Sequence, residues 1–98
     1  MKLFLDDVRN PPDDTWDVVR KYKTALDYWR LYPIEEISFD HDLGEENTGY
    51  DFAKFIEFAC NDGHPCPKWQ IHSANPVGRK NIEMAMKNAE KLAARMAK

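Results

Sequence analysis

The chain has no long hydrophobic run, no excess of basic charge, no repeat or low-complexity tract, and only two cysteines. Each absence removes a class of function. No segment approaches the roughly 20 apolar residues that span a bilayer. The opening MKLFLDDVR turns acidic after its first residues, without the apolar stretch of a signal peptide. A soluble, cytoplasmic protein without membrane contact is therefore expected. Its 14 basic residues are outweighed by 17 acidic ones, for a net charge of -3. No general positive field invites duplex DNA or an anionic lipid surface, so a polyanionic partner must be met locally. Cys60 and Cys66 are expected to be free thiols in a reducing compartment. With His64 between them they offer part of a zinc site, but four ligands are usual and no fourth is evident nearby.

What remains is enough chain for one domain, 1–98, with a real core. KLFLD (2–6) and WDVVRKY (16–22) have the apolar, β-branched and aromatic content of strands, and RNPPDDT between them is a loop on its prolines. From Thr24 the period changes: Ala25, Tyr28, Trp29 and Tyr32 share one helical face, and Pro33 ends it. EEISFDHD (35–42) is a third strand. Thr48 and Asp51 form a weaker capping box, with Asp in place of Glu, opening a helix whose inner face is Phe52, Phe55, Ile56, Ala59 and Cys60. KWQIHS (68–73) is a fourth strand. Asn75 then reads as an N-cap and Pro76 as the first helical residue, with Ile82, Met86, Ala89, Ala93 and Met96 lining the last helix. Strands alternating with helices imply a mostly parallel α/β sheet, with the first connection, a loop, as its irregular part.

In such sheets ligands collect at the carboxyl ends of the strands, near the point where strand order reverses. The first strand delivers Asp6 and Asp7 there, the third Asp40, His41 and Asp42, and the fourth His72, Ser73 and Asn75. Carboxylates crowded at one edge repel one another unless a cation sits among them, and oxygen-rich sites suit Mg²⁺ or Mn²⁺. Asp6 or Asp42 taken singly is equally consistent with capping a turn. The last helix opens with NPVGRK, which puts Arg79 and Lys80 at the positive end of the dipole and no acid beside them. That terminus invites an anion, gripped by the Val77 and Gly78 amides, Ser73 and Asn75, with Arg9 as a second cation. The bland alternative is that Arg79 and Lys80 are solvated. His72 and His41 are candidates for proton transfer, as base and acid around a phosphate, although either could ligate metal or pack in the core. His72 is the better candidate because SAN follows it directly. Tyr50 is placed to stack on a base or to pack against the sheet.

LFLDDVRNPP, ISFDHDLG, TGYDFAKFI and IHSANPVGRKNI, in that order, resemble the cyclic-phosphate-processing receiver-like domains, small relatives of the response-regulator receiver fold found in bacteria and their phages. The resemblance runs from Leu3 to about Met86. It implies a three-layer sandwich, a receiver-like (flavodoxin-like) four-stranded sheet with helices on both faces, and an acidic metal pocket. It also implies the processing of cyclic phosphates on nucleotides or RNA ends. The expected chemistry is then metal-assisted hydrolysis or ring opening, of a phosphodiesterase type. Asp6, Asp7 and Asp40 hold Mg²⁺ or Mn²⁺, with Asp42 as a further ligand or as a partner orienting His41. His72 and His41 exchange protons, and Ser73, Asn75, Gly78, Arg79 and Arg9 bind the phosphate. Two other readings stand beside it. One is a protein that binds or sequesters a cyclic nucleotide or oligonucleotide without cleaving it. The other is an aspartyl-phosphate receiver, disfavoured because no lysine follows the fourth strand. A protein-binding role for Trp16, Trp29 or Tyr32 ranks last, since core packing explains their spacing.

Overall fold

Four short apolar runs become the strands of one sheet in the computed structural model, which describes residues 1–96, the Met96 side chain excepted. They are β1 (Lys2–Leu5), β2 (Trp16–Val19), β3 (Glu36–Phe39) and β4 (Lys68–Ile71), in the order β2-β1-β3-β4. Every pairing is parallel: Leu5 lies opposite Val19 and Phe39, and Phe39 opposite Ile71. Three helices complete the fold: α1 (Tyr22–Leu31), α2 (Gly49–Asn61) and α3 (Pro76–Met96). The parallel α/β sheet expected from the residue pattern is present, and it is consistent with the receiver-like fold that the resemblance implies.

Strand ends fall where acids take over the backbone. β1 stops at Leu5 because Asp6 folds its carboxylate onto the Val8 and Arg9 amides, 2.9 and 2.8 Å away. β3 stops at Phe39, short of the expected 42, because Asp40 accepts the next amide, that of His41, at 2.8 Å. Such local side-chain bonds compete with a strand ladder. α1 begins at Tyr22 rather than Thr24, since the Glu45 carboxylate, distant in sequence, accepts the Tyr22 amide at 2.8 Å. The caps read from the sequence are there. Thr48 accepts the Asp51 amide and Asp51 the Thr48 amide, and Asn75 Oδ1 accepts the Gly78 amide at 2.9 Å.

The three-layer arrangement expected, with helices on both faces, is not formed: cover is unequal on the two faces of the sheet. Leu3, Leu5, Ile37 and Phe39, alternate positions on one face, join a single core with Ala25 and Trp29 of α1, Phe52 and Ile56 of α2, and Ile82 and Met86 of α3. Phe4 and Trp16 are buried outside that core, on the opposite face. There they pack ring edge to ring, and Phe4 stacks on His72. Handedness explains the asymmetry. Right-handed connections that run the same way across a sheet place their helices on the same face. β2 to β3 and β3 to β4 run one way; only β1 to β2 runs back, and that connection is the proline-containing loop rather than a helix.

No helix among the described residues is long and apolar enough to cross a membrane. Cys60 is buried and Cys66 half-buried, both as free thiols. His64 does not turn toward a shared ion with them: its Nδ1 donates to the Pro65 carbonyl at 2.8 Å, and its ring lies against Trp29. Burial, and then the neighbouring Cys60, push the Cys66 thiol up to about 12. Both thiols are therefore expected to react with a disulfide reagent at pH 8 only as fast as the protein opens, accelerating sharply in denaturant; rapid labelling of the native protein would contradict this.

α2 meets the end of β3 at Gly49, whose amide donates to the His41 carbonyl at 2.8 Å. A Cβ at Gly49 would lie 1.8 Å from the Asp40 carbonyl oxygen. Gly49→Ala is accordingly expected to cost about 1–3 kcal/mol in urea unfolding, the range of an overpacked core site; a neutral substitution would mean that the helix end can slide.

Candidate functional site

Because β1 lies between β2 and β3, strand order reverses at the β1–β3 pair, the position where open parallel sheets bind ligands. Asp6 and Asp7 leave β1 there and Asp40 leaves β3. One carboxylate oxygen from each of the three lies within 4.8 Å of the others. Asp42, expected beside them, is instead exposed, and its Oδ2 accepts from Asn75 Nδ2 at 3.3 Å.

Asp6 and Asp40 are buried, and the chain treats them differently. Burial alone would raise the Asp6 carboxyl. The Arg9 and Val8 amides, and then His72, outweigh it and hold Asp6 below its ordinary value. His72 Nε2 is 2.9 Å from Asp6 Oδ2, and the Arg9 Nε lies 3.8 Å from the same oxygen. For Asp40 the balance goes the other way. Burial, followed by the charge of Asp6, pushes it up, and the His41 amide and Ser73 hydroxyl offset this only in part. Three hard oxygen donors, one of them destabilised by its neighbour's charge, suit a small divalent cation such as Mg²⁺ or Mn²⁺.

His41 is held by two helix starts at once. The α2 amide at Gly49 binds its carbonyl, and α3 presses on its ring so closely that a Cβ at Gly78 would lie 2.2 Å from His41 Cγ. Gly78 is thus glycine for contact with the His41 ring. His41 Nδ1 is buried with no hydrogen-bond partner.

The residues expected to bind phosphate have other partners as well. Ser73 Oγ accepts the Asn75 amide at 3.1 Å, and Asn75 Oδ1 takes the Gly78 amide. The first turn of α3 therefore satisfies much of itself, and Pro76 has no amide to offer, which leaves Val77 as the free donor there. Arg79 Nη1 donates to the carbonyls of Ile71 and Ser73, at 2.9 and 3.2 Å. Arg9 Nη1 donates to the His72 carbonyl at 3.0 Å, with about half of its side chain exposed. A guanidinium has five N–H groups, so both arginines keep donors to spare. Tyr50 is half-buried against the core, with Lys54 over its ring. Trp29 is buried in the core and Trp16 on the opposite face, whereas Tyr32, whose spacing also suggested packing, is 46% exposed.

Two residues escaped the sequence reading. Arg20, just after β2, fastens the β1–β2 loop through the carbonyls of Asp6 and Arg9 and the side chain of Asn10. Ser38, 1% exposed within β3, sits 2.7 Å from His72 Nδ1. Its signal was available: a lone hydroxyl inside ISF, at a buried strand position, needs a partner.

The model of the cyclic-phosphate processing receiver domain family matches residues 1–88. Neither a comparison with curated proteins nor one with solved structures found a match.

Folding raises the Asp40 pKa, so its ionisation costs stability once pH exceeds the ordinary carboxylate value, and that cost persists at neutral pH. Asp6, held low, contributes stability that is lost only as pH falls through its folded value. Asp40→Asn is expected to raise the melting temperature of the metal-free protein at pH 7 and to abolish the rise that Mn²⁺ produces in the parent. A lower melting temperature without metal would show that the Asp40 charge is already compensated.

Proposed function

The chain belongs to the cyclic-phosphate processing receiver family, and on that premise we propose that it opens or hydrolyses a cyclic phosphate on a nucleotide or an RNA end. The observation that carries this reading is the convergence of Asp6, Asp7 and Asp40 at the β1–β3 switch point. These three carboxylates would hold Mg²⁺ or Mn²⁺. Such an ion, when bound, polarises a phosphoryl oxygen and makes a neighbouring water more acidic. Cys60 and Cys66, both free thiols, fit a reducing, cytoplasmic setting.

The side chains around the carboxylates supply the rest. Arg9, anchored on the His72 carbonyl, presents its remaining N–H groups beside the acids, where they neutralise phosphate charge. Arg79 and the Val77 amide serve the same end from α3. Ser73 and Asn75 act chiefly by fixing the backbone between β4 and α3. His41 is the better placed of the two expected acid–base histidines, because its ring is clamped by α3 while both ring nitrogens of His72 are engaged by Asp6 and Ser38. As the imidazolium it would give its Nε2 proton to the oxygen that leaves when the ring opens, and would regain one from the attacking water. An aspartyl-phosphate role is not favoured: Lys68 starts β4 and so stands at the opposite edge of the sheet.

Incubation with 2′,3′-cyclic nucleotides, 3′,5′-cyclic nucleotides and cyclic oligonucleotides, with Mn²⁺, Mg²⁺ or EDTA, is expected to give a linear product in molar excess over protein, suppressed by EDTA. His41→Ala should lower kcat by about 10²- to 10⁴-fold, the usual weight of general acid–base catalysis, and keep the Mn²⁺-dependent rise in melting temperature. Ligand depleted one-for-one and returned intact on denaturation would instead establish a binding protein.

A further inference from the structure

Both ring nitrogens of His72 are engaged within the protein: Nε2 with Asp6 Oδ2 at 2.9 Å and Nδ1 with Ser38 Oγ at 2.7 Å. An ionised Asp6 only accepts, so the Nε2 proton points at it. In the neutral ring Nδ1 is then a lone pair, and the Ser38 hydroxyl donates to it. The ring is also fixed in its plane, stacked on Phe4 with centroids 4.3 Å apart and an interplanar angle of 7°. Ser38 comes from β3, His72 from the end of β4 and Asp6 from the end of β1, so the chain of bonds crosses the sheet on its helix-free face.

A hydroxyl, an imidazole and a carboxylate in series have the composition of a hydrolytic triad. Burial excludes that use. Ser38 is 1% exposed in the middle of a central strand, where no phosphoryl group can approach its oxygen. A proton-transfer role for His72 meets a similar obstacle, since neither ring nitrogen faces open solvent without a protein partner. What the arrangement does achieve is to hold one oxygen of Asp6 from a fixed direction. The Val8 and Arg9 amides hold the other.

We propose that Ser38 and His72 are a positioning pair. Ser38 selects the Nε2–H form of His72, and His72 orients the Asp6 carboxylate for the divalent ion without exchanging protons with substrate. The role of Asp6 as an ion ligand rests on the proposed function; the tautomer and its dependence on Ser38 do not. Outer partners of this kind usually change ion affinity by about 10- to 100-fold when removed.

The test has two arms. In ¹⁵N-edited NMR of the metal-free protein, His72 is expected in the single Nε2–H form, and Ser38→Ala should shift its Nδ1 resonance to that of a lone pair without a hydrogen bond. A wild-type ring averaging between tautomers, or a spectrum unmoved in Ser38→Ala, overturns the pair, whatever the protein's activity. In the second arm, Mn²⁺ affinity is measured directly for wild type, Ser38→Ala and His72→Gln. The expected result is an affinity about 10- to 100-fold weaker in Ser38→Ala, with kcat recovered at saturating Mn²⁺. His72→Gln, which keeps a donor for Asp6, should be less impaired. A kcat deficit that persists in His72→Gln at saturating Mn²⁺, with affinity intact, assigns proton transfer to His72 and overturns the proposal. Wild-type protein that fails to bind Mn²⁺ removes the ion-orienting part together with the proposed function, and the NMR arm alone then decides the tautomer.

Discussion

Two carboxylates buried side by side are the constraint around which this molecule is arranged. Asp6 and Asp40 leave neighbouring parallel strands, and the charge of one raises the other. Removing charge from water is costly unless it is paired or hydrogen-bonded. Much of the surrounding structure answers that demand. The Val8, Arg9 and His41 amides turn inward to the acids. His72 reaches across from β4, and the starts of α2 and α3, the positive ends of their dipoles, converge on the segment that follows Asp40. The repulsion that remains at Asp40 is the part that a cation would relieve.

The uneven covering of the sheet follows the same logic. A helix between β1 and β2 would have filled the second face. The loop there instead brings Arg9 to the acids and is pinned by Arg20 to the backbone on which Asp6 stands. The helix-free face then carries a short column of Phe4, Ser38, His72 and Asp6, in which an aromatic ring supports an imidazole and the imidazole supports a carboxylate. The fold thus places the acids at strand ends and braces Asp6, through His72, from Phe4 and Ser38 within the strands.

Much of this was legible in the residues. The Thr48–Asp51 box and the Asn75 cap depend on neighbours three residues away, so sequence alone discloses them. The acids after β1 and β3 were placed by the switch-point rule once the strands were recognised. What was not legible depends on register and on side-chain direction. Glu45 capping α1, Arg20 holding the loop and Ser38 facing His72 join segments far apart in sequence. His72 was assigned acid–base chemistry because a histidine beside polar residues offers it. Only the ring's orientation reveals that both nitrogens are committed. Gly78 was likewise assigned to the ligand, whereas its tightest neighbour is the His41 ring.

Arg79 illustrates a tension between two uses of one side chain. β4 is an edge strand, and Arg79 binds the carbonyl of Ile71, its last residue, and that of Ser73 just beyond it. Unpaired strand edges are templates for another chain, and long cationic side chains are one of the devices that protect them. A phosphate that drew the guanidinium away would uncover that edge. On the proposed phosphate-binding role of Arg79, ligand capture and protection of the edge would draw on the same group.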